Sequence, residues 1–209
     1  MNKFIKLLQF MIIFFITILS IDNIIALDKV SKELQLRLNK VNNFYGFFIQ
    51  RVINDDGIVI QNNNGYLWLK KPYFLKCDIL IPDKQIIISD GINVWFYNIL
   101  TRQVTITLFK NIFVNTPLLL ITNNTPKDWE KYKIIKNNNK FIIFFRKKNK
   151  KIKFFTITIL SHGLISQFSI IDYNNQKIIY DFKNVNNKNI NKKEFNFVIP
   201  KDVTVDDQR

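Results

Sequence analysis

Between Asp28 and Asn43 the apolar residues Val30, Leu34, Leu38 and Val41 recur every three or four positions, with Lys, Glu and Arg between them, which predicts one amphipathic helix. After it the period changes to two. FYGFFIQRVI, GYLWLKKP, FLKCDILI, QIIIS, NVWFYN and RQVTITLF read as consecutive antiparallel strands, divided by the turn signals DDG, PDK, DG and NILT. A second set, YKIIK, FIIFFRK, KFFTITIL, LISQFSII and KIIYDF, is divided by NNN, KNK, SHG and DYNN. About ten or eleven strands are expected on this pattern.

Between the two sets, NIFVNTPLLLITNNTPKDWEKY breaks the alternation and holds Thr-Pro twice, at 116–117 and 125–126. A threonine cap followed by proline at the first helical position predicts two short helices, TPLLLIT and TPKDWEKY. Leu118, Leu119, Leu120 and Ile121 are apolar on every side, so the first of these must lie against an apolar surface. A sheet this long with only three helices tends to curl, and its inner face is then either an apolar cavity or the packed core of a sandwich. Periodicity leaves both open.

The 209 residues are 47% hydrophobic and 14% aromatic, which suits one folded domain with a core and excludes disorder. Residues 1–26 combine a basic start, MNKFIK, with the apolar run LLQFMIIFFITILS and a small residue at Ala26, the pattern of a signal peptide cleaved near Ala26. Ile24 fits the cleavage rule poorly, and the run is almost long enough to span a bilayer, so an anchor is the competing reading. The lone cysteine, Cys77, allows no internal disulfide and lies too far along the chain to be the acylated first residue of a lipoprotein. Thirty-one basic against 16 acidic residues give a net charge of +15. The lysines, however, are scattered among asparagines in a compositionally biased chain, so the charge reads as a solvated surface and not as a nucleic-acid site.

Catalytic chemistry is not supported. The single histidine, His162, sits in the turn SHG, and no second histidine, cysteine cluster, nucleophile elbow or phosphate loop accompanies it. The pairs Asp55-Asp56 and Asp206-Asp207 are chain neighbours, read as solvated turn residues and not as an acid and base facing one substrate atom. No enzyme, metal or cofactor is expected.

The runs LRLNKVNNFYGFFIQRV, GYLWLKKP, IPDKQIIISDGINVWFYN, NTPLLLI and VIPKDVTVDDQR, in this order from about residue 34 to 209, resemble the periplasmic outer-membrane lipoprotein carrier family, LolA. The resemblance implies a curled, unclosed antiparallel β-barrel, mainly β with α, of about 11 strands with a three-helix lid over a hydrophobic cavity, spanning residues 27–209 as a monomer. It implies a chaperone that takes acylated lipoproteins from the inner-membrane ABC transporter LolCDE, shields their acyl chains while crossing the periplasm, and hands them to the outer-membrane receptor LolB. A sensor module of the same fold, binding lipid or lipoprotein, is the alternative, and a LolB-type receptor would need a lipidated cysteine just after the signal.

By the same resemblance Lys71 stands where the family carries an arginine that latches the closed lid onto backbone oxygens of the helices. Lysine there has a flexible stem in place of a planar fork, which implies a weaker latch. On residue type alone, Lys71 reads first as a snorkelling lysine at a strand end, and it is the resemblance that turns it inward. Leu34, Leu38, Leu118, Leu119, Leu120 and Ile121 become the lid's apolar underside. Leu75 and Cys77, on one strand face, become cavity wall, with smaller side chains than the family usually has. Trp68 and Trp95 are cavity candidates whose facing stays open, because Trp68 and Lys71 have opposite parity unless Pro72 introduces a bulge.

Overall fold

A computed structural model describes residues 29–113, 120–121, 129–149 and 151–209. The expected signal segment and the residues Leu118 and Leu119 lie outside this set. The amphipathic segment forms helix α1 over residues 29–39. It stops short of Val41, the last residue of the apolar pattern, because Lys40 and Val41 donate their N–H groups to Arg37 O (3.2 Å) and Leu38 O (3.0 Å), tightening the last turn before the chain becomes extended.

Strands β1 (Asn43–Ile53), β2 (Val59–Lys70), β3 (Phe74–Ile81), β4 (Gln85–Asp90), β5 (Asn93–Asn98) and β6 (Gln103–Leu108) form one meander. Strands β7 (Tyr132–Asn137), β8 (Lys140–Phe145), β9 (Ile152–Ile159), β10 (Ile165–Asp172) and β11 (Lys177–Asn186) form the second. The meanders join where β1 pairs antiparallel with β11. A last strand, β12 (Thr204–Asp207), completes a single 12-stranded sheet in the order β12-β6-β5-β4-β3-β2-β1-β11-β10-β9-β8-β7, unclosed, with β12 and β7 at its edges.

Two expectations are corrected, and a third falls mostly outside the described residues. The twelfth strand, β12, pairs parallel with β6, so Asp206 and Asp207 are strand residues and not turn residues. The alternation of RQVTITLF ends one residue early: Phe109 opens helix α2 (Phe109–Phe113), its N–H donating to Ile92 O at 2.8 Å. Among the described residues, helix is found in α1, α2, at 120–121 and at 129, beside a 3-10 turn at Lys192–Phe195. A three-helix lid is not shown.

The sheet curls around one buried face. Leu34, Leu38 and Val41 at the α1 end, with Leu120, Ile121 and Trp129, pack there against Phe44, Leu69, Leu75, Phe141, Ile143, Phe155, Ile157 and Phe168. Several pairings are irregular, as bulged strands are: the β2/β3 register shifts between Asn64 and Gly65, and the β1/β11 register between Tyr45 and Phe47. Gly65 permits the first of these, since a Cβ there would lie 2.0 Å from the Asp78 carbonyl oxygen. Phe48 stands opposite it on β1.

The outer face has a core of its own beneath the C-terminal segment. Phe195 is fully buried and meets the Phe74 ring at 5.5 Å, while Phe197 reaches Trp95 and Tyr97 at 6.0 Å each. The second apolar face of β3–β6 is therefore covered by chain that follows the sheet.

Candidate functional site

Side chains alternate across β2, so Leu67 and Leu69 point into the curl while Tyr66 and Trp68 point out. With residues of the neighbouring strands the inward set encloses a cavity of about 260 Å³. Its wall is Phe44 and Phe48 from β1, Leu67 and Leu69 from β2, Leu75 and Cys77 from β3, and Ile87 from β4. Ile165, Phe168 and Ile170 from β10, Tyr180 and Phe182 from β11, and Ile121 complete it. Among the described residues the wall carries no charge and two polar side-chain tips, the Cys77 thiol and the Tyr180 hydroxyl. Burial, reinforced by the neighbouring Asp78 carboxylate, pushes the Cys77 thiol up to about 12, so it stays protonated and acts as a small apolar group.

Lys71 continues the inward parity of Leu67 and Leu69. Its Nζ donates to Leu38 O at 2.7 Å, and its backbone N–H donates to Asn42 O at 3.0 Å. Leu38 belongs to the last turn of α1, where its carbonyl already accepts the Val41 N–H, and the ammonium adds a second hydrogen bond at the negative end of the helix. Burial lowers the Lys71 pKa to about 8. The ammonium is thus held at some desolvation cost, opposed by one charge-assisted hydrogen bond.

The other flank of α1 is tied more firmly, by residues that sequence reasoning missed. Arg37, only 8% exposed, donates to Ile159 O at 2.5 Å, Asn139 Oδ1 at 2.7 Å and Glu33 Oε1 at 2.6 Å, and lies over the Phe141 ring. Lys136 closes the cluster, bonding both Glu33 oxygens at 2.8 Å. The Lys136 hydrogen bond, ahead of Arg37, holds the Glu33 carboxyl below its ordinary pKa. Lys40 adds a bond to Ser161 O at 2.9 Å. The legible signal was the i, i+4 spacing of Glu33 and Arg37, although it reads as an ordinary helix-surface pair.

The remaining site candidates divide. Leu75, Cys77 and Ile121 line the cavity. Leu34, Leu38 and Leu120 are buried in the packed core beside it and do not form its wall. Trp68 and Trp95 do not face the cavity. Trp68 lies against Tyr45, Tyr66 and the Lys76 ammonium on the outside, and Trp95 lies under Phe197. Strand parity sends both outward without any bulge between Trp68 and Lys71. Among the described residues no three His, Cys, Asp or Glu side chains converge as metal ligands, and no helix is long and apolar enough to cross a membrane.

An unclosed curled sheet, an uncharged apolar cavity and a helix fastened above the same face define a carrier of apolar groups. The profile of the family described as outer membrane lipoprotein carrier protein LolA matches residues 39–198. An outer-membrane lipoprotein carrier protein of Photorhabdus laumondii subsp. laumondii is 40% identical over 185 residues, covering 88% of this chain and 91% of that protein. A carrier protein of Yersinia enterocolitica is 38% identical over 184 residues, with the same coverage. The chain belongs to the LolA family of outer-membrane lipoprotein carriers, which are not enzymes. At the level of fold, an uncharacterized conserved protein from Thermus thermophilus aligns at a TM-score of 0.51 with 12% identity, covering 90% of this chain and 99% of that one. MucB aligns at 0.50 with 13% identity, covering 86% of this chain and 66% of MucB.

Proposed function

We propose that this protein is an exported periplasmic carrier that takes acylated outer-membrane lipoproteins from the inner-membrane transporter LolCDE and delivers them to the receptor LolB. In this reading residues 1–26 are the signal peptide, and residues 27–209 are the working domain, active as a monomer. The observation that carries it is the uncharged apolar cavity beside a helix whose one flank is held to the β2–β3 turn by the Lys71 side chain.

The energetics make such a protein necessary. Each buried CH₂ is worth ~0.8 kcal/mol, so several long acyl chains exposed to water cost on the order of 30 kcal/mol. Transfer between membranes needs an apolar wall for the whole journey. A cavity of about 260 Å³ lies just below the ~300–1,000 Å³ typical of pockets for one small ligand, so it must widen to take long acyl chains. Cargo enters by shifting the population toward an open one. Arg37 and Glu33 keep α1 on β7–β9 while the Lys71 side releases.

The test is release of newly acylated lipoprotein from spheroplasts depleted of their own carrier. A one-to-one soluble complex with the mature protein, passed on to LolB, is expected. No release with an active transporter would overturn the carrier reading and leave a lipid-binding or sensor module.

A further inference from the structure

Tyr180 stands apart from its neighbours in the cavity wall. Its ring packs against Phe48 at 5.9 Å, Phe168 at 6.2 Å and Phe182 at 6.4 Å, so the phenol is carried on an aromatic wall. A buried tyrosine hydroxyl ordinarily finds a hydrogen-bond partner. Among the described residues this one has none. Among the described residues every fully enclosed side-chain oxygen and nitrogen is satisfied, so an unpartnered phenol oxygen borders open space, and the space beside Tyr180 is the cavity. Burial raises the hydroxyl's pKa to about 12, with the nearby Cys77 adding to the shift, which keeps the O–H a donor at any physiological pH.

Resting on the carrier reading above, we propose that the Tyr180 hydroxyl recognises the ester carbonyl of an acyl chain, donating a hydrogen bond that fixes how far the chain enters the cavity. An alkyl chain alone slides along an apolar wall, since burial energy depends on area and not on register. One donor in such a wall changes that. It is unpaired when the cavity holds only hydrocarbon and satisfied when a carbonyl reaches it, so it selects esters over alkyl ethers of equal length. Among the described residues nothing cationic lines the cavity, so the group suited to this donor is a neutral carbonyl and not an ionised carboxylate.

Acyl esters occur both on lipoproteins and on phospholipids, and the experiment separates the two. Three ligands are titrated into the mature protein: a dipalmitoylglyceryl-cysteinyl peptide, its dihexadecyl ether twin, and dipalmitoyl phosphatidylglycerol. Wild type should bind the ester peptide roughly five- to tenfold more tightly than the ether. Tyr180→Phe should abolish that preference by weakening ester binding, while the ether, with no donor left unpaired beside it, binds no more weakly than to wild type. The substitution removes no intramolecular bond, so the variant should melt as wild type does. A preference that survives in Tyr180→Phe, or an equal loss for ester and ether, would overturn the proposal while leaving the carrier reading intact. A loss seen only with the phospholipid would overturn its assignment to cargo. Failure of wild type to bind any of the three would overturn both.

Discussion

Replacing Lys71 with arginine keeps the charge at the end of β2 but changes how that charge is hydrated. The ammonium that donates to Leu38 O has a pKa lowered from 10.5 to about 8 by burial alone. At ~1.4 kcal/mol per unit, and discounted because the amine is more than a third open to solvent, the closed lid carries a desolvation penalty of about 1–2 kcal/mol. The hydrogen bond from a charged donor returns about 1.5–3 kcal/mol, so the two nearly balance. Guanidinium is more weakly hydrated and offers a second donor, which should favour closure by ~1 kcal/mol, roughly fivefold in the opening equilibrium. Hydrogen exchange of amides 38–42, in the turn that Lys71 holds, should therefore slow about fivefold in Lys71→Arg at pH 7. The sign of the pH dependence follows. A lowered amine pKa means that the penalty is fully present below 8 and is relieved as pH rises from about 8 to 10.5, where the open form binds the extra proton. The exchange ratio of wild type to Lys71→Arg, in which intrinsic rates cancel, should fall toward one as pH rises past 8. Unchanged or faster exchange in Lys71→Arg, or a ratio independent of pH, would refute this account of the latch.

The other predictions concern the frame around it. Arg37→Ala removes a buried cation from three acceptors and should cost about 3–5 kcal/mol in urea unfolding, while Glu33→Gln should flatten the acid limb of stability, since a depressed carboxyl loses its contribution as pH falls through its folded pKa. Cys77→Phe places a ring in the cavity and should reduce binding of the apolar dye N-phenyl-1-naphthylamine at least roughly tenfold, with stability unchanged or raised. Gly65→Ala drives a methyl into the Asp78 carbonyl and should lower stability by about 3 kcal/mol, read from the shift in urea midpoint.

What could be read along the chain were the features set by nearest neighbours. Period two from Phe44 onward placed eleven of the twelve strands, because a pleated strand with one buried face must alternate. The spacing of Leu34, Leu38 and Val41 placed α1 for the matching reason. Leu75 and Cys77 share a face on β3, and parity put them together correctly. The strand at Thr204–Asp207 escaped because its pairing is with β6, about a hundred residues away, and its own residues are short and acidic.

The tertiary structure decided which face of each strand is the inside. Trp68 and Trp95 alternate as cavity residues would, yet they point outward, where Trp68 packs against Tyr45, Tyr66 and the Lys76 ammonium and Trp95 lies under Phe197. Two apolar faces then exist, and alternation cannot say which of them encloses the cavity. Closure also decided Lys71 and Tyr180. In the sequence one is a cation at a strand end and the other a tyrosine in a strand. Only when the curl brings the end of β2 to α1, and β11 across from β3, does the ammonium meet the Leu38 carbonyl and the hydroxyl border an apolar cavity. Local sequence fixes periodicity through backbone geometry, whereas desolvation and hydrogen-bond pairing depend on groups that the chain brings together only when folded.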